Sequence, residues 1–204
     1  MFLEIHPDNP DPRKIKQVVE CLQDGGVIIY PTDTIYGIGC DINKPKAIER
    51  ICKIRGIDPK KANLSFVCKD LSHLADYTLN FDKTVYKVMN KNLPGPFTFI
   101  LKASNIVPKL LKSKKKTVGI RVPDNNIALE IVRMLEHPIL SSSLRKDDDI
   151  LEYETDPQEM YEQYLNEVDI VIDGGYGKNT ASTVINCTEG EIEIIRQGAG
   201  ELLF

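Results

Sequence analysis

The chain has 204 residues, 42% of them apolar and 27% charged, with a formal net charge of −4. That length suits one large domain, residues 1–204, whose core is big enough to need no disulfide staple. The acidic balance argues against nucleic-acid binding over the whole surface, and with no run of about 18 apolar residues a membrane-spanning helix is excluded.

In chain order, "DPRKIKQVVECLQDGG" reads as a helix: Asp11 can cap it, Pro12 sits in its first turn, and Ile15, Val18, Val19 and Leu22 share one face before Gly25 and Gly26 end it. "VIIYP" is a buried strand, and "YPTDTIYGIG" (30–39) is a turn unusually rich in hydroxyls. "KPKAIERICKIRG" is a helix with Ile48, Ile51 and Cys52 inward. "LSFVC" (64–68) is a strand, and "LSHLADY" and "KTVYKVMNKN" are helices. "PGPFTFILKA" is a turn feeding a strand from Phe97, and "IVPKLLK" is a short helix or turn. "TVGIRVP" (117–123) is a strand, "NNIALEIVRMLEH" a helix, and "PILSSSL" a strand with a hydroxyl-rich end. "DPQEMYEQYLNE" is a helix and "VDIVIDGG" a strand. "STVINC" and "EIEIIRQG" close the chain as a β pair. Strands alternating with helices predict an α/β fold around one twisted, open sheet, and the final β pair makes that sheet mixed.

The cysteines, Cys21, Cys40, Cys52, Cys68 and Cys187, are scattered and form no C-x-x-C pair, which argues against a zinc knuckle. Cys21, Cys52 and Cys68 fall on apolar positions and read as buried thiols. The N-terminal segment has no long apolar core of a signal peptide, so a reducing, cytoplasmic setting is expected. His6, His73 and His137 are far apart and in no motif, which disfavours a Ser-His-Asp or His-metal site. Neither a P-loop nor a G-x-G-x-x-G nor a G-x-S-x-G pattern occurs.

The charge is uneven. "KLLKSKKK" (109–116) and "KIRGIDPKK" (53–61) are basic, whereas "DDDILEYE" (147–154) is acidic. A basic side on an acidic protein suits a phosphate-bearing ligand. Several strands end in small polar or cationic groups: Thr32, Asp33 and Thr34 after the first, Arg121 after another, Ser141, Ser142 and Ser143 after a third. Strand ends are the usual ligand crevice of layered α/β folds. Singly, each group has a plain structural explanation: a capped turn, a surface ion pair, or cations complementing a helix dipole.

In combination they are specific. "YPTDTIYGIGCD", "KIRG" with a further lysine, "LPGPFTFIL", "TVGIRVPDN", "STVINC" and "IIRQGAG", in this order, resemble the YrdC/YciO family, the threonylcarbamoyl-AMP synthase fold, over nearly the whole chain. The resemblance implies a twisted open sheet with a large, basic, concave cavity. It implies condensation of L-threonine, bicarbonate and ATP to threonylcarbamoyl-AMP and pyrophosphate, Mg²⁺ travelling with the triphosphate. The product passes to a partner complex that modifies adenosine 37 of tRNA, and family domains also bind double-stranded RNA or tRNA. By resemblance Thr32, Thr34, Arg121 and Ser182 meet the threonine, while Lys53, Arg55, Lys61, Thr98, Ser141, Ser143 and Arg196 meet the nucleotide, with no covalent protein nucleophile. Two stretches depart from the synthase pattern. In "KIRGIDPKKANLSF" Gly56 replaces a proline and no histidine precedes Leu64, Ala62 standing near its place. In "SSSLRKDD" Leu144 and Arg145 replace alanine and asparagine. These departures resemble the YciO branch, which implies an alternative: RNA binding, or a different nucleotide–carboxylate pair, with little synthase activity.

Overall fold

The computed structural model describes residues 1–58, 64–72, 74–107, 116–144 and 154–204. The elements are β1 (Phe2–Glu4), α1 (Pro12–Gln23), β2 (Val27–Tyr30), β3 (Gly37–Asp41), α2 (Pro45–Arg55), β4 (Ser65–Val67), α3 (Leu74–Tyr77), α4 (Lys83–Asn92) and β5 (Phe97–Lys102). There follow β6 (Thr117–Arg121), α5 (Asn126–Leu135), β7 (Ile139–Ser143), α6 (Pro157–Tyr164), β8 (Ile170–Asp173), β9 (Thr183–Asn186) and β10 (Glu193–Arg196).

Local chemistry sets the helix ends. Asp11, Asp82, Asn125 and Asp156 each accept a hydrogen bond from a backbone N–H of the first turn of α1, α4, α5 and α6, satisfying donors the helix cannot. Gly56 ends α2 at φ 67°, a left-handed conformation that favours glycine.

The strands form one twisted mixed sheet in the order β1-β8-β2-β3-β7-β4-β6-β5-β9-β10, the single α/β domain expected. β1 and β2 flank β8 in parallel, β4 and β6 are parallel, β5 and β9 are parallel, and the other neighbours are antiparallel. Strand alternation sorts side chains onto two faces. On the first face Val27, Ile38, Phe66, Phe99, Ile120, Leu140, Val171 and Ile185 bury against α2, α3, α4 and α6 in a core that spans almost the whole sheet. On the second face Ile28, Tyr30, Val67, Ile139, Ile170 and Ile172 bury against α1 and α5. The buried residues of this second core include none from β5, β6, β9 or β10. The alternation there continues as buried–half-buried, in Phe97–Lys102, Thr117–Arg121 and Thr183–Asn186 alike. Half of one sheet face is therefore left uncovered by these helices.

Two expectations change. The stretch 30–39 is not one turn: Gly37–Asp41 forms β3, paired antiparallel with β2, so 31–36 is the loop of a hairpin. A Cβ on Gly39 would lie 2.8 Å from Ile139 Cγ2 and 2.9 Å from the Tyr30 ring, and one on Gly37 would lie 3.2 Å from that ring. These glycines let Tyr30 lie across β3. Cys21 is only part-buried, whereas Cys40, Cys52, Cys68 and Cys187 are buried. "IVPKLLK" extends beyond the described residues.

Candidate functional site

The uncovered half-face is the floor of a cavity of about 750 Å³. Its floor comes from β7 (Ser141, Ser143), β4 (Ser65), β6 (Thr117, Gly119, Arg121), β5 (Thr98, Ile100), β9 (Val184, with Ser182 just before it) and β10 (Ile195, Arg196). The end of α2 and the segment after it, Arg55–Asp58, form one wall, and Ile35 and Tyr36 of the β2–β3 loop another.

Arg121 closes β6 and is fixed from the opposite hairpin. Its Nη2 donates to Asp33 Oδ1 and to Thr34 Oγ1, each at 3.0 Å. Asp33 Oδ2 in turn accepts from the Asp124 N–H at 3.2 Å. Arg121 and Asp33 are 11% and 6% exposed at the side chain, so the pair is little screened by solvent. Arg121 Nε is buried without a hydrogen-bond partner among the described residues. Thr32 and Thr34 do not line the cavity. Thr32 Oγ1 donates to the Ile35 carbonyl at 2.7 Å and accepts from the Thr34 N–H at 3.1 Å. The hydroxyls singled out in the sequence thus shape the loop and hold Arg121 from behind.

A second polar group sits at the β5–β9–β10 end. Thr98 Oγ1 and Ser182 Oγ are 2.8 Å apart. Arg196 donates to the Ser182 carbonyl through Nη2 at 2.8 Å and Nε at 3.3 Å. Between the two ends, buried Tyr30 donates its hydroxyl to Ser141 Oγ at 2.7 Å; burial pushes the Tyr30 phenol up to about 12.

Arg55, Thr98, Arg121, Ser141, Ser143, Ser182 and Arg196 thus converge on one cavity, while Lys53 does not. Residues two apart on a helix point about 200° apart, so once Arg55 turns inward Lys53 must face out, and it is exposed. Lys61, Ala62, Arg145 and the lysines 109–115 lie outside the described residues. Among the described lining, three arginines face one aspartate, Asp58. No group of three or more His, Cys, Asp or Glu side chains among the described residues could hold a metal ion. No helix among them is long and apolar enough to cross a membrane.

Sequence reasoning named Asp33 among the strand-end groups without giving it a role, and passed over Tyr30, Ser65 and Asp58. Asp33 stood inside the quoted "PTDT", so its signal was present; Tyr30 read only as the last residue of a buried strand.

The site is thus an open half-face of an α/β sheet with arginines and paired hydroxyls at its strand ends, groups whose chemistry suits anions. The family model described as "Telomere recombination", Sua5/YciO/YrdC, matches residues 20–198, and the chain belongs to that family. The Escherichia coli K12 protein YciO, whose function is uncharacterized, is 43% identical over 202 residues, which are 98% of this chain and 97% of YciO. The crystal structure of E. coli YciO superposes with a TM-score of 0.90 at 41% identity, covering 98% of this chain and 97% of that one. A Coxiella burnetii protein named threonylcarbamoyl-AMP synthase is 27% identical over 181 residues, covering 88% of this chain and 96% of that protein. The crystal structure of Pyrococcus abyssi Sua5 complexed with L-threonine shares the fold, with a TM-score of 0.87 at 24% identity; it covers 97% of this chain and 57% of Sua5.

Proposed function

We propose that the cavity binds ATP and L-threonine and that the protein condenses them with bicarbonate to threonylcarbamoyl-AMP and pyrophosphate. The observation that carries this is the Arg121 fork, held by Asp33 and Thr34 inside the cavity that also contains the Thr98–Ser182–Arg196 group. β6 and β10 are three strand spacings apart, about 14 Å, so the roots of Arg121 and Arg196 suit two separate anionic groups better than one. The Coxiella relative's name and the L-threonine bound by Sua5 support the same substrates.

The chemistry asks little of protein nucleophiles. The threonine amine takes up bicarbonate with loss of water to give a carbamate. A carbamate oxygen then bonds to the α-phosphorus as the bond to the pyrophosphate oxygen breaks. Positioning and charge neutralisation carry such a step. Arg121 holds the amino-acid carboxylate, for which a planar fork is suited. Arg55 and Arg196 neutralise phosphate oxygens, and Thr98, Ser141, Ser143 and Ser182 offer hydroxyls to the nucleotide. Mg²⁺ would travel with the triphosphate and supply further neutralisation of its charge, beside Arg55 and Arg196.

The test is turnover with ATP, bicarbonate and L-threonine, following pyrophosphate and identifying the nucleotide product by mass. Threonine-dependent threonylcarbamoyl-AMP supports the proposal; ATP binding without that product overturns the synthase activity. The second reading, favoured by the likeness to YciO and by the lysine-rich stretch 109–116, is a protein that docks tRNA or double-stranded RNA. Its mark is an affinity that falls steeply with salt. The synthase proposal extends to a cytoplasmic setting and to delivery of the product to a tRNA-modification complex.

A further inference from the structure

The charge of the chain is sorted by segment. From Lys83 to Pro123 the sequence carries nine lysines and Arg121 but no aspartate or glutamate, and from Asp147 to Gly177 it carries eleven acidic residues but no lysine or arginine. Each stretch contributes one helix to the layer on the first sheet face, α4 seated by Val85, Val88 and Met89 and α6 by Met160 and Tyr164. α6 packs on β8. α4 lies along β5, because Leu79 before it bonds to Lys102 at the end of β5 and Pro96 after it leads into the start. Six strand spacings separate β8 from β5, about 29 Å, so the two helices stand at opposite ends of that layer. Lys83, Lys87 and Lys91 recur along the exposed side of α4, about 6 Å apart, with Tyr86 among them 46% exposed. The exposed side of α6 presents Glu159 and Glu162, with Leu165 just beyond it 49% exposed. Exposed charges on α1 and α5 are paired, Lys16 with Glu20 and Arg133 with Glu130. Lys83, Lys87, Glu159 and Glu162 make no ion pair among the described residues.

We infer that these two faces recognise each other between two copies of the chain, the α4 lysines of one copy meeting the α6 glutamates of the other. Both faces lie on the same side of the molecule, so a two-fold axis between them makes the contact twice in one pair of molecules and closes the assembly. Across that axis α2 faces its own copy with the mixed charges of Lys46, Glu49 and Lys53. Complementary charges set register and encounter rate more than affinity, and Tyr86 and Leu165 supply apolar area for the contact to remove from water. A second copy fits better than an unrelated polyanion, which would neutralise α4 and leave α6 unmatched, whereas one dimer satisfies both helices. The cavity opens on the other sheet face, so the dimer leaves it accessible.

The experiment is sedimentation velocity on the full chain at low salt and at about 0.5 M salt, where the screening length is only about 4 Å. Wild type is expected to be a dimer at low salt and to shift towards monomer at high salt. Lys83→Glu/Lys87→Glu makes both faces acidic, and Glu159→Lys/Glu162→Lys makes both basic. Each variant alone is expected to raise the dimer Kd at least about a hundredfold, and an equal mixture of the two to form a one-to-one heterodimer at low salt. Should a charge reversal fail to fold, Lys83→Gln/Lys87→Gln and Glu159→Gln/Glu162→Gln keep the helix propensity and should each still weaken the dimer. A wild type that stays monomeric at low salt, a dimer that the variants leave intact, or two folded monomeric variants that do not associate when mixed overturns the inference. Growth of wild type beyond the dimer overturns the two-fold closure. Salt-sensitive binding of a single-stranded oligonucleotide that requires Lys83 and Lys87, by a wild type that remains monomeric, overturns it in favour of nucleic acid on the α4 face.

Discussion

Arg121 is poised before a substrate arrives. Its Nη2 is shared between Asp33 and Thr34 at 3.0 Å, so little side-chain entropy remains to be lost on binding a carboxylate. Replacing Arg121 with Ala is expected to weaken L-threonine binding by roughly 2–3 kcal/mol, and Lys to restore little, because an ammonium lacks the fork. Asp33→Asn keeps an acceptor but removes the charge that holds the guanidinium. It should weaken L-threonine while leaving tripolyphosphate affinity unchanged, a split that calorimetry with the two ligands reads directly. Tyr30 makes a separate prediction about pH. Burial raises its phenol from 10.0 to about 12. Below pH 10 both the folded and unfolded states keep the proton, and the contribution to stability is fully present. Above pH 10 the unfolded chain releases the proton first, so stability falls by up to about 1.4 kcal/mol per pH unit until the folded group titrates. Cys68, raised from 9.0 to about 12 by burial, adds a loss that begins about one unit lower. Urea midpoints measured from pH 8 to 11.5 should decline across that window. Tyr30→Phe should lessen the decline above pH 10 without abolishing it, since burial raises Tyr36 and Tyr164 to about 12 as well, at a cost of about 1 kcal/mol at neutral pH for the lost bond to Ser141.

At the scale of elements, the hairpin β2–β3 shows how one side chain dictates the residues opposite it. The Tyr30 ring occupies the space a side chain on Gly39 would need, so Gly39→Ala forces the ring, Ile139 or β7 to shift. It is expected to destabilise the fold by roughly 1–3 kcal/mol, seen as a lower urea midpoint with unchanged m-value. The same pair explains why β3 was not legible. Glycines weaken strand propensity, and their purpose depends on a ring from the neighbouring strand, which no local pattern reveals. Strands with alternating or continuous apolar residues, such as "VIIY", "FTFILK" and "TVGIR", and helices with a cap and an apolar stripe were legible because their signals are local. The site divides the same way. Arg121, Thr98 and Ser182 stood in quoted motifs and meet at one cavity. The split between Lys53 and Arg55 needed the helix phase of α2 set by its core contacts, with Ala47, Ile48, Ile51 and Cys52 buried. Accordingly Arg55→Ala should reduce tripolyphosphate affinity more than Lys53→Ala does, since only Arg55 reaches the cavity wall.

The whole molecule is asymmetric about its sheet: one face is almost wholly covered, whereas the other is covered only where α1 and α5 lie. Strands sandwiched between both layers must open the core to exchange their amides, while β10, exposed along its whole length, can separate locally at small cost. Native-state hydrogen exchange should therefore be slowest in β2, β7 and β8 and fastest in β10. The proposed ligand adds a second expectation. ATP held by Thr98, Ser182 and Arg196 would tie β5, β9 and β10 together without touching α1 or α5, so saturating ATP should slow exchange in those three strands selectively. L-threonine alone should slow the β2–β3 loop and the end of β6, because Arg121 joins those two segments. If ATP instead protected the β2–β3 loop and left β10 unchanged, the ends of the cavity would be assigned the wrong way round. Uniform slowing across the molecule would indicate general stabilisation by binding, without a division of the cavity between two substrates. The two protection maps together decide whether the open half-face works as one ligand site or as two adjoining ones, which a reaction joining an amino acid to a nucleotide requires.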